Sequence, residues 1–140
     1  MNGAGGAIYQ NGYGGTLINA TISNTYANGN GGAIYWKGST PGTITNISIT
    51  YSQTEVFNST NSADGGAIYL DSSSAHLTLR NNIFISNTAG EGQSVYNCGV
   101  FDSISDIYRK KRNPSRQHFN GLQWKIQDIG WIPLAVCLVQ

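Results

Sequence analysis

Two carboxylates in equivalent places of a repeated sequence are the strongest candidates for chemistry in this chain. A glycine-rich motif occurs four times, and the residue before it is Ala4, Asn30, Asp64 and Glu91 in turn. If the repeats stack, Asp64 and Glu91 lie on adjacent repeats roughly 5 Å apart, a spacing suited to a retaining glycoside hydrolase or to a shared Ca²⁺. The favoured interpretation is that Asp64-Gly65 is a simple turn and that Glu91 is solvated. Ca²⁺-assisted lyase chemistry also lacks its usual base, since Arg80 is the only Arg or Lys near them in the repeats.

Histidine and cysteine suggest no metal or cofactor site. His76 and His118 have no second ligand at metal-binding spacing, so each is predicted to pack or to face solvent. Cys98 and Cys137 could pair in an oxidising compartment, but a free pair is equally open because sequence does not place their Cα atoms within about 7 Å. We therefore expect no cofactor, no metal beyond the weak carboxylate possibility above, and no catalysis.

Two further local signals have simple explanations. Glycosylation sequons begin at Asn19, Asn46 and Asn58, and they matter only in a eukaryotic secretory pathway; in a chain rich in Asn, Ser and Thr such triplets arise by chance. The basic run at residues 109–112 is predicted to be a solvated face. No aromatic residues interleave with it, so nucleic acid is not an expected partner.

Repeat units must position all of these side chains. The pentapeptide Gly-Gly-Ala-Ile-Tyr occupies residues 5–9, 31–35 and 65–69, and a degenerate fourth copy occupies residues 92–96. Successive copies begin 26, 34 and 27 residues apart. One unit therefore recurs about every 27 residues with a single eight-residue insertion, which is typical of a solenoid.

The units are strand-like. Runs such as residues 16–23, 43–50 and 75–80 mostly alternate β-branched with small polar residues, and turn clusters rich in Gly, Asn and Ser separate them. The pattern predicts an all-β, parallel β-helix of about four coils. Equivalent residues then form columns. We expect an inner column of Ile8, Ile34, Ile68 and Val95, and an outer column of Tyr9, Tyr35, Tyr69 and Tyr96.

The three Gly-Gly-Ala-Ile copies, with Phe-Ile-Ser-Asn at residues 84–87, resemble the paired GGAI and FxxN motifs of the polymorphic outer membrane protein repeats. The resemblance covers residues 1–96 and implies a right-handed β-helix used in surface adhesion or display. Three departures stand out: Phe57 aligns with Phe84 but Thr60 replaces the asparagine, the first unit has no such Phe, and the fourth copy lacks its second Gly.

Composition divides the chain near Asn97. Charged residues are 11% of the whole and the net charge is +1, so no strongly charged partner is indicated. Residues 97–140 hold six of the eight basic residues and no repeat, and form a tail that is either a cap or non-native sequence. Ser103 and Asp106 resemble a capping box, which predicts a short helix before Pro114. The last apolar run is too short to span a bilayer.

The N-terminal residues have no signal-peptide pattern, so we expect the sequence to be a piece of a longer cell-surface or extracellular protein. The first functional hypothesis is a structural or adhesive repeat protein that binds host or matrix components, protein or glycan, through its tyrosine column and Trp36. The first alternative is a polysaccharide-processing, pectate-lyase-like β-helix, which needs a groove joining Asp64, Glu91 and Arg80. The second is an ice- or crystal-binding solenoid with rows of Thr16, Thr21, Thr43, Thr45 and Thr50.

Overall fold

The computed structural model describes residues 3–55, 63–71, 75–92, 94–98, 100–109 and 134–136. Within these residues the chain is all-β, with short strands and no helix. The strands are β1 (Ile8–Gly12), β2 (Thr16–Ile18), β3 (Thr21–Ser23), β4 (Tyr26–Ala27), β5 (Ile34–Gly38), β6 (Gly42–Thr45), β7 (Ser48–Thr50), β8 (Gln53–Thr54), β9 (Ile68–Leu70), β10 (His76–Arg80), β11 (Ile83–Ile85), β12 (Val95–Asn97), β13 (Val100–Ile104), β14 (Ile107–Arg109) and β15 (Leu134–Val136).

These strands form parallel sheets in which each strand pairs with its equivalent in the neighbouring repeat unit. The first sheet has the order β1-β5-β9-β12-β15, the second β2-β6-β10-β13, the third β3-β7-β11-β14, and β4 pairs with β8 in a fourth. Every pairing between these strands is parallel. Such pairing requires a long crossover, and here each crossover is one repeat unit.

The pentapeptides set the register of the first sheet. Ile8 pairs with Ile34, Ile34 with Ile68, and Ile68 with Val95, so the predicted inner column is confirmed. Ile34, Ile68 and Val95 are 0% exposed, whereas the tyrosine that follows each of them lies on the opposite face. The two-residue alternation of a strand therefore directs isoleucine into the core and tyrosine outward, as predicted.

The first glycine of each pentapeptide allows the chain to turn into the first sheet. Gly31 and Gly65 have φ values of 73° and 70°, a left-handed conformation that side chains other than Gly, Asn and Asp rarely adopt. The second glycine has a different reason. A Cβ on Gly32 would collide with the carbonyl oxygen of Gly66 in the next unit, so close stacking of the units requires glycine there.

Residues with a left-handed backbone conformation form columns at the corners beside the second and third sheets. One column lies between these sheets and the other follows the third sheet, and their members have φ between 53° and 56°. The first consists of Asn19, Asn46, Asn81 and Ser105, and the second of Asn24, Tyr51 and Ser86. Asparagine tolerates this conformation better than most residues, which explains its frequency at these corners.

Two buried asparagines hydrogen-bond to the backbone at these corners. Asn82, 0% exposed, accepts a hydrogen bond from the Ile47 N–H (3.0 Å) and donates one to the Ile44 carbonyl (2.9 Å). Asn87 in the same way accepts from the Ser52 N–H (2.9 Å) and donates to the Ile49 carbonyl (3.0 Å). Each carboxamide thus satisfies a donor and an acceptor of the preceding unit at one corner.

The stacking extends past residue 96. Strands β13 and β14 pair with β10 and β11, so the short helix predicted from Ser103 and Asp106 is wrong. The edges of β10 and β11 offer a row of backbone hydrogen bonds, which outweighs one capping interaction. The Asp106 carboxylate instead accepts a hydrogen bond from the Asn82 N–H at 2.8 Å. Pro114 lies outside the described residues, as does most of the tail.

The alignment of Phe57 with Phe84 is also wrong. Phe84 is paired with Ile49, and it is fully buried in the core. The extra residues of the second unit lie mostly between β8 and Gly65, a segment that includes Phe57 and Thr60; both lie outside the described residues. The insertion therefore precedes the third pentapeptide and leaves the strands before it in register.

Candidate functional site

The tyrosine column forms a continuous ladder on the outer face of the first sheet. Strand pairing places Tyr9, Tyr35, Tyr69 and Tyr96 in register. Their ring centroids are 4.9, 5.4 and 5.0 Å apart, and successive rings are within 10° of parallel. The separation matches the distance between neighbouring strands, so the sheet itself sets the ring spacing.

Stacking determines which part of each ring a ligand can reach. Neighbouring tyrosines cover the ring faces of Tyr35 and Tyr69, and these two side chains are only partly exposed. Tyr9, at the end of the ladder, is 55% exposed. The ladder therefore offers ring edges and hydroxyls along its length. Tyr9 stacks on Tyr35 with one of its ring faces, so stacking on a flat ring face is open at Tyr9.

A polar column lies beside the ladder, two residues along each strand. It contains an ion pair between Lys37 Nζ and Asp71 Oδ2 at 3.1 Å. Further along, the Tyr69 hydroxyl lies 4.0 Å from Cys98 Sγ. Burial raises the pKa of Tyr35, and the negative charge of Asp71 raises it further. Burial also raises the pKa of Tyr69, and Cys98 adds to the effect.

Trp36 is not part of this outer surface. Its side chain is 4% exposed and belongs to the core, so the assignment of Trp36 to the binding surface is wrong. Trp36 lies two residues after Ile34 and therefore shares its inward face. Its indole packs so closely on Gly42 that a Cβ there would collide with the ring. The indole Nε1 is buried and has no hydrogen-bond partner.

The two candidate carboxylates lie in one column, but the hydrogen bond between the two residues joins the Asp64 carboxylate to the Glu91 backbone. The Glu91 N–H donates to Asp64 Oδ1 at 2.9 Å, and the Asp64 N–H donates to Asn30 Oδ1 at the same distance. Asp64 is 9% exposed, whereas Glu91 is exposed. Asn30 and Asp64, which precede the second and third pentapeptides, thus each accept a hydrogen bond from the next unit. This observation supports the turn interpretation of Asp64.

Arg80 lies at the end of β10 in the second sheet, away from the strand that follows Asp64. A shallow open groove of about 390 Å³ runs along the corner between the second and third sheets. Its lining includes Asn19, Asn46 and Asn81 but neither acidic candidate nor Arg80. This groove is not the one that the polysaccharide-processing hypothesis needs. Within the described ranges, no cluster of three or more His, Cys, Asp and Glu residues could hold a metal.

The remaining predicted sites are dispersed. His76 Nε2 lies 3.1 Å from Asp102 Oδ2 on the outside of the second sheet. Asn19 and Asn46, which begin two sequons, stack at one corner with a side-chain hydrogen bond of 3.2 Å. Cys98 is partly buried. Cys137, His118 and the sequon at Asn58 lie outside the described residues.

The threonines form short rows. Thr16, Thr43 and Thr78 are in register, but the next residue in that column is Asp102. The other threonine columns contain apolar or charged residues in the third unit; Thr45 pairs with Arg80. Thr21 pairs with Ser48, and Ser48 pairs with Ile83 in the third unit. Thr50 pairs with Ile85.

No family model, curated protein or solved structure matches the chain. The part of the chain that the structure describes contains no helix of the length and apolarity needed to cross a membrane. The class defined by fold and site is therefore an all-β stack of parallel sheets with an aromatic ladder on one face.

Proposed function

We propose that the sheets are the faces of a right-handed parallel β-helix, and that this β-helix is a non-catalytic, adhesive part of a cell-surface or extracellular protein. Its partner is a protein or a glycan at the surface it contacts. Each of the first three sheets takes one strand from each of four successive repeat units, in the same order, and this arrangement supports the β-helix. The resemblance to polymorphic outer membrane protein repeats and the low charge support the surface location.

The tyrosine ladder is the observation on which this proposal rests. Four side chains are held at fixed spacing by strand pairing and ring stacking, so little rotamer freedom is lost when a partner binds. Tyrosine also combines an apolar edge with a hydroxyl, which suits both protein and glycan contacts. The partner must match the row of edges and hydroxyls, because the faces of the central rings are covered.

The test compares two double variants that remove the same side-chain atoms. Tyr35→Ser/Tyr69→Ser interrupts the ladder, whereas Tyr13→Ser/Tyr51→Ser removes exposed tyrosines (81% and 56%) outside it. Binding is measured to immobilised matrix proteins and to a glycan array, with far-ultraviolet circular dichroism as a check on folding. We expect the ladder variant to lose binding and the control to keep it. Equal binding by the two variants would contradict the proposal.

The enzymatic alternative requires free catalytic carboxylates, and the hydrogen bond from the Glu91 N–H gives Asp64 a structural task. Turnover is tested on pectic and other acidic polysaccharides with Asp64→Asn/Glu91→Gln as control, since asparagine keeps the Oδ1 acceptor. Cleavage that the variant loses would favour the enzyme. The ice-binding alternative has no supporting observation of its own, because Asp102 and Arg80 interrupt the threonine rows.

A further inference from the structure

We propose that the groove at the corner between the second and third sheets is a binding site for an extended, neutral oligosaccharide. The site is separate from the tyrosine ladder, which lies on the outer face of the first sheet. The proposal rests on the strand pairing and on the side chains that line the groove. It is independent of the ligand of the ladder.

Two columns of side chains line the groove, and each of three repeat units adds one member to both columns. Within a unit, a single residue separates the two members. The first column is Asn19, Asn46 and Asn81, and the second is Thr21, Ser48 and Ile83. Pairing of β3, β7 and β11 holds the second column in register. Members of neighbouring units are therefore about 4.8 Å apart, the spacing of neighbouring strands.

The left-handed corner does not by itself require asparagine in this column. Glycine adopts a φ of about 55° at no steric cost, and Ser105 occupies the same column in the fourth unit. The other left-handed column holds three different residue types, Asn24, Tyr51 and Ser86. By contrast, three consecutive units place an exposed carboxamide at the groove. A row of exposed amides along one groove is a pattern suited to a ligand.

These amides keep hydrogen-bonding capacity for a ligand. Asn46 Nδ2 donates to Asn19 Oδ1 at 3.2 Å, which fixes the two side chains relative to each other. A carboxamide has two N–H donors and an acceptor oxygen, so Asn46 retains one donor and its Oδ1. The hydroxyls of Thr21 and Ser48 add groups that both donate and accept. Among the described residues that line the groove, none is charged, so a neutral ligand fits it best.

The backbone of the groove is already paired, which argues against a peptide strand as the occupant. The Asn19 N–H donates to the Thr45 carbonyl. The Ser48 N–H donates to the Ala20 carbonyl, and β7 lies between β3 and β11. A peptide that extends a sheet needs an unpaired edge. Recognition therefore falls to amides and hydroxyls, which match sugar hydroxyls, and to Ile83 (37% exposed), which can pack against the C–H face of a pyranose ring.

The spacing of the columns indicates the shape of the sugar chain. An extended β-1,4-linked pyranose chain advances by about one strand spacing per sugar, so successive sugars meet successive repeat units. A coiled α-1,4-linked chain does not stay in step with the columns. The groove volume of about 390 Å³ lies within the range of roughly 300 to 1,000 Å³ that is common for ligand clefts.

The test titrates the full chain with four neutral, extended β-1,4-linked sugars: cellohexaose, xylohexaose, mannohexaose and chitohexaose. Maltohexaose, which is neutral but coiled, and hexagalacturonate, which is acidic, are the control ligands. The protein is produced in a bacterial host, so that no N-linked sugar occupies Asn19 or Asn46. Calorimetry measures affinity, and nuclear magnetic resonance follows the side-chain amide signals of Asn46 and Asn81.

Two double variants separate the groove from the rest of the surface. Asn46→Gly/Asn81→Gly removes two amides from the groove. The matched control, Asn24→Gly/Ser86→Gly, removes two side chains from the other left-handed column. Glycine suits the left-handed conformation at all four positions, so neither variant strains the backbone. Circular dichroism monitors folding.

We expect at least one of the four extended sugars to bind and to shift the amide signals of Asn46 and Asn81. The groove variant should raise its dissociation constant about tenfold or more, and the control should leave it unchanged. The shift measurement uses the natural chain and so needs no variant to fold. No binding of any extended sugar, equal binding by the two variants, or equally tight binding of either control ligand overturns the proposal. Shifts confined to tyrosine ring signals would also overturn it, and would place the sugar on the ladder instead.

Discussion

Replacing Asn82 by alanine should destabilise the fold more than any change at an exposed asparagine. The side chain is 0% exposed and connects two backbone groups of the preceding unit, the Ile47 N–H and the Ile44 carbonyl. Alanine removes the side-chain partner of both groups. An unsatisfied buried N–H costs about 1 to 3 kcal/mol and a lost hydrogen bond to a carbonyl about 0.5 to 1.5 kcal/mol, so the expected loss is roughly 1.5 to 4.5 kcal/mol. The lower end applies if water enters the space and takes over the two hydrogen bonds.

Chemical denaturation of the natural chain and of Asn82→Ala measures this loss, with Asn11→Ala on the exposed edge of β1 as control. We expect the midpoint to fall sharply for Asn82→Ala and to stay within about 0.5 kcal/mol for the control. Equal midpoints for the two variants would refute the reasoning. They would mean that the corner backbone is already solvated and that the carboxamide hydrogen bonds contribute nothing net.

Asn82→Asp separates donation from acceptance at the same site. A carboxylate still accepts from the Ile47 N–H but faces the Ile44 carbonyl with a second acceptor, while a protonated carboxyl can donate to it. Desolvation should raise the pKa of this buried carboxyl when folded, so the variant's stability is greatest below about pH 4 and falls as pH rises through that raised pKa. A stability that increased with pH over this range would contradict the assigned hydrogen bonds.

Three other changes test the core and the ladder. Ile68→Ala should cost about 2 to 5 kcal/mol in chemical denaturation, because the side chain is 0% exposed; an unchanged midpoint would place the column in solvent. Trp36→Phe should change stability by only about 1 kcal/mol, since removing the unpartnered indole N–H offsets the smaller ring, and a much larger loss would reveal a partner for Nε1. The raised pKa values of Tyr35 and Tyr69 mean that the folded state holds phenolic protons that the unfolded chain releases near pH 10. Stability should therefore fall as pH rises above about 10, less so in Tyr35→Phe/Tyr69→Phe, and an equal fall in both chains would assign the titration to other groups.

The parallel columns could be predicted because the pentapeptide fixes the register. One in-phase motif aligns Ile34 with Ile68, and strand alternation then assigns the inner and outer faces. The same alternation places Trp36 on the inward face with Ile34. The assignment of Trp36 to the surface was therefore inconsistent with the strand pattern. Phe84 could not be aligned from spacing alone, because an insertion before Gly65 fits the sequence at several points. Only strand pairing shows that Phe84 stacks on Ile49.

The site could be predicted less completely, because its properties depend on contacts between units. Sequence places the tyrosines in one column, but ring stacking limits a ligand at Tyr35 and Tyr69 to ring edges and hydroxyls. The carboxylate of Asp64 is explained in the same way, since its acceptor role follows from the position of the Glu91 N–H one unit away.

The stack uses one arrangement for several purposes. Polar side chains satisfy backbone groups of adjacent units: Asn82 does so for the preceding unit at the corner, and Asp64 does so for the following unit before the pentapeptide. Every such interaction joins a side chain of one repeat unit to the backbone of the unit stacked beside it. A substitution at Asn82 or Asp64 therefore acts on the backbone of an adjacent unit and not only on its own.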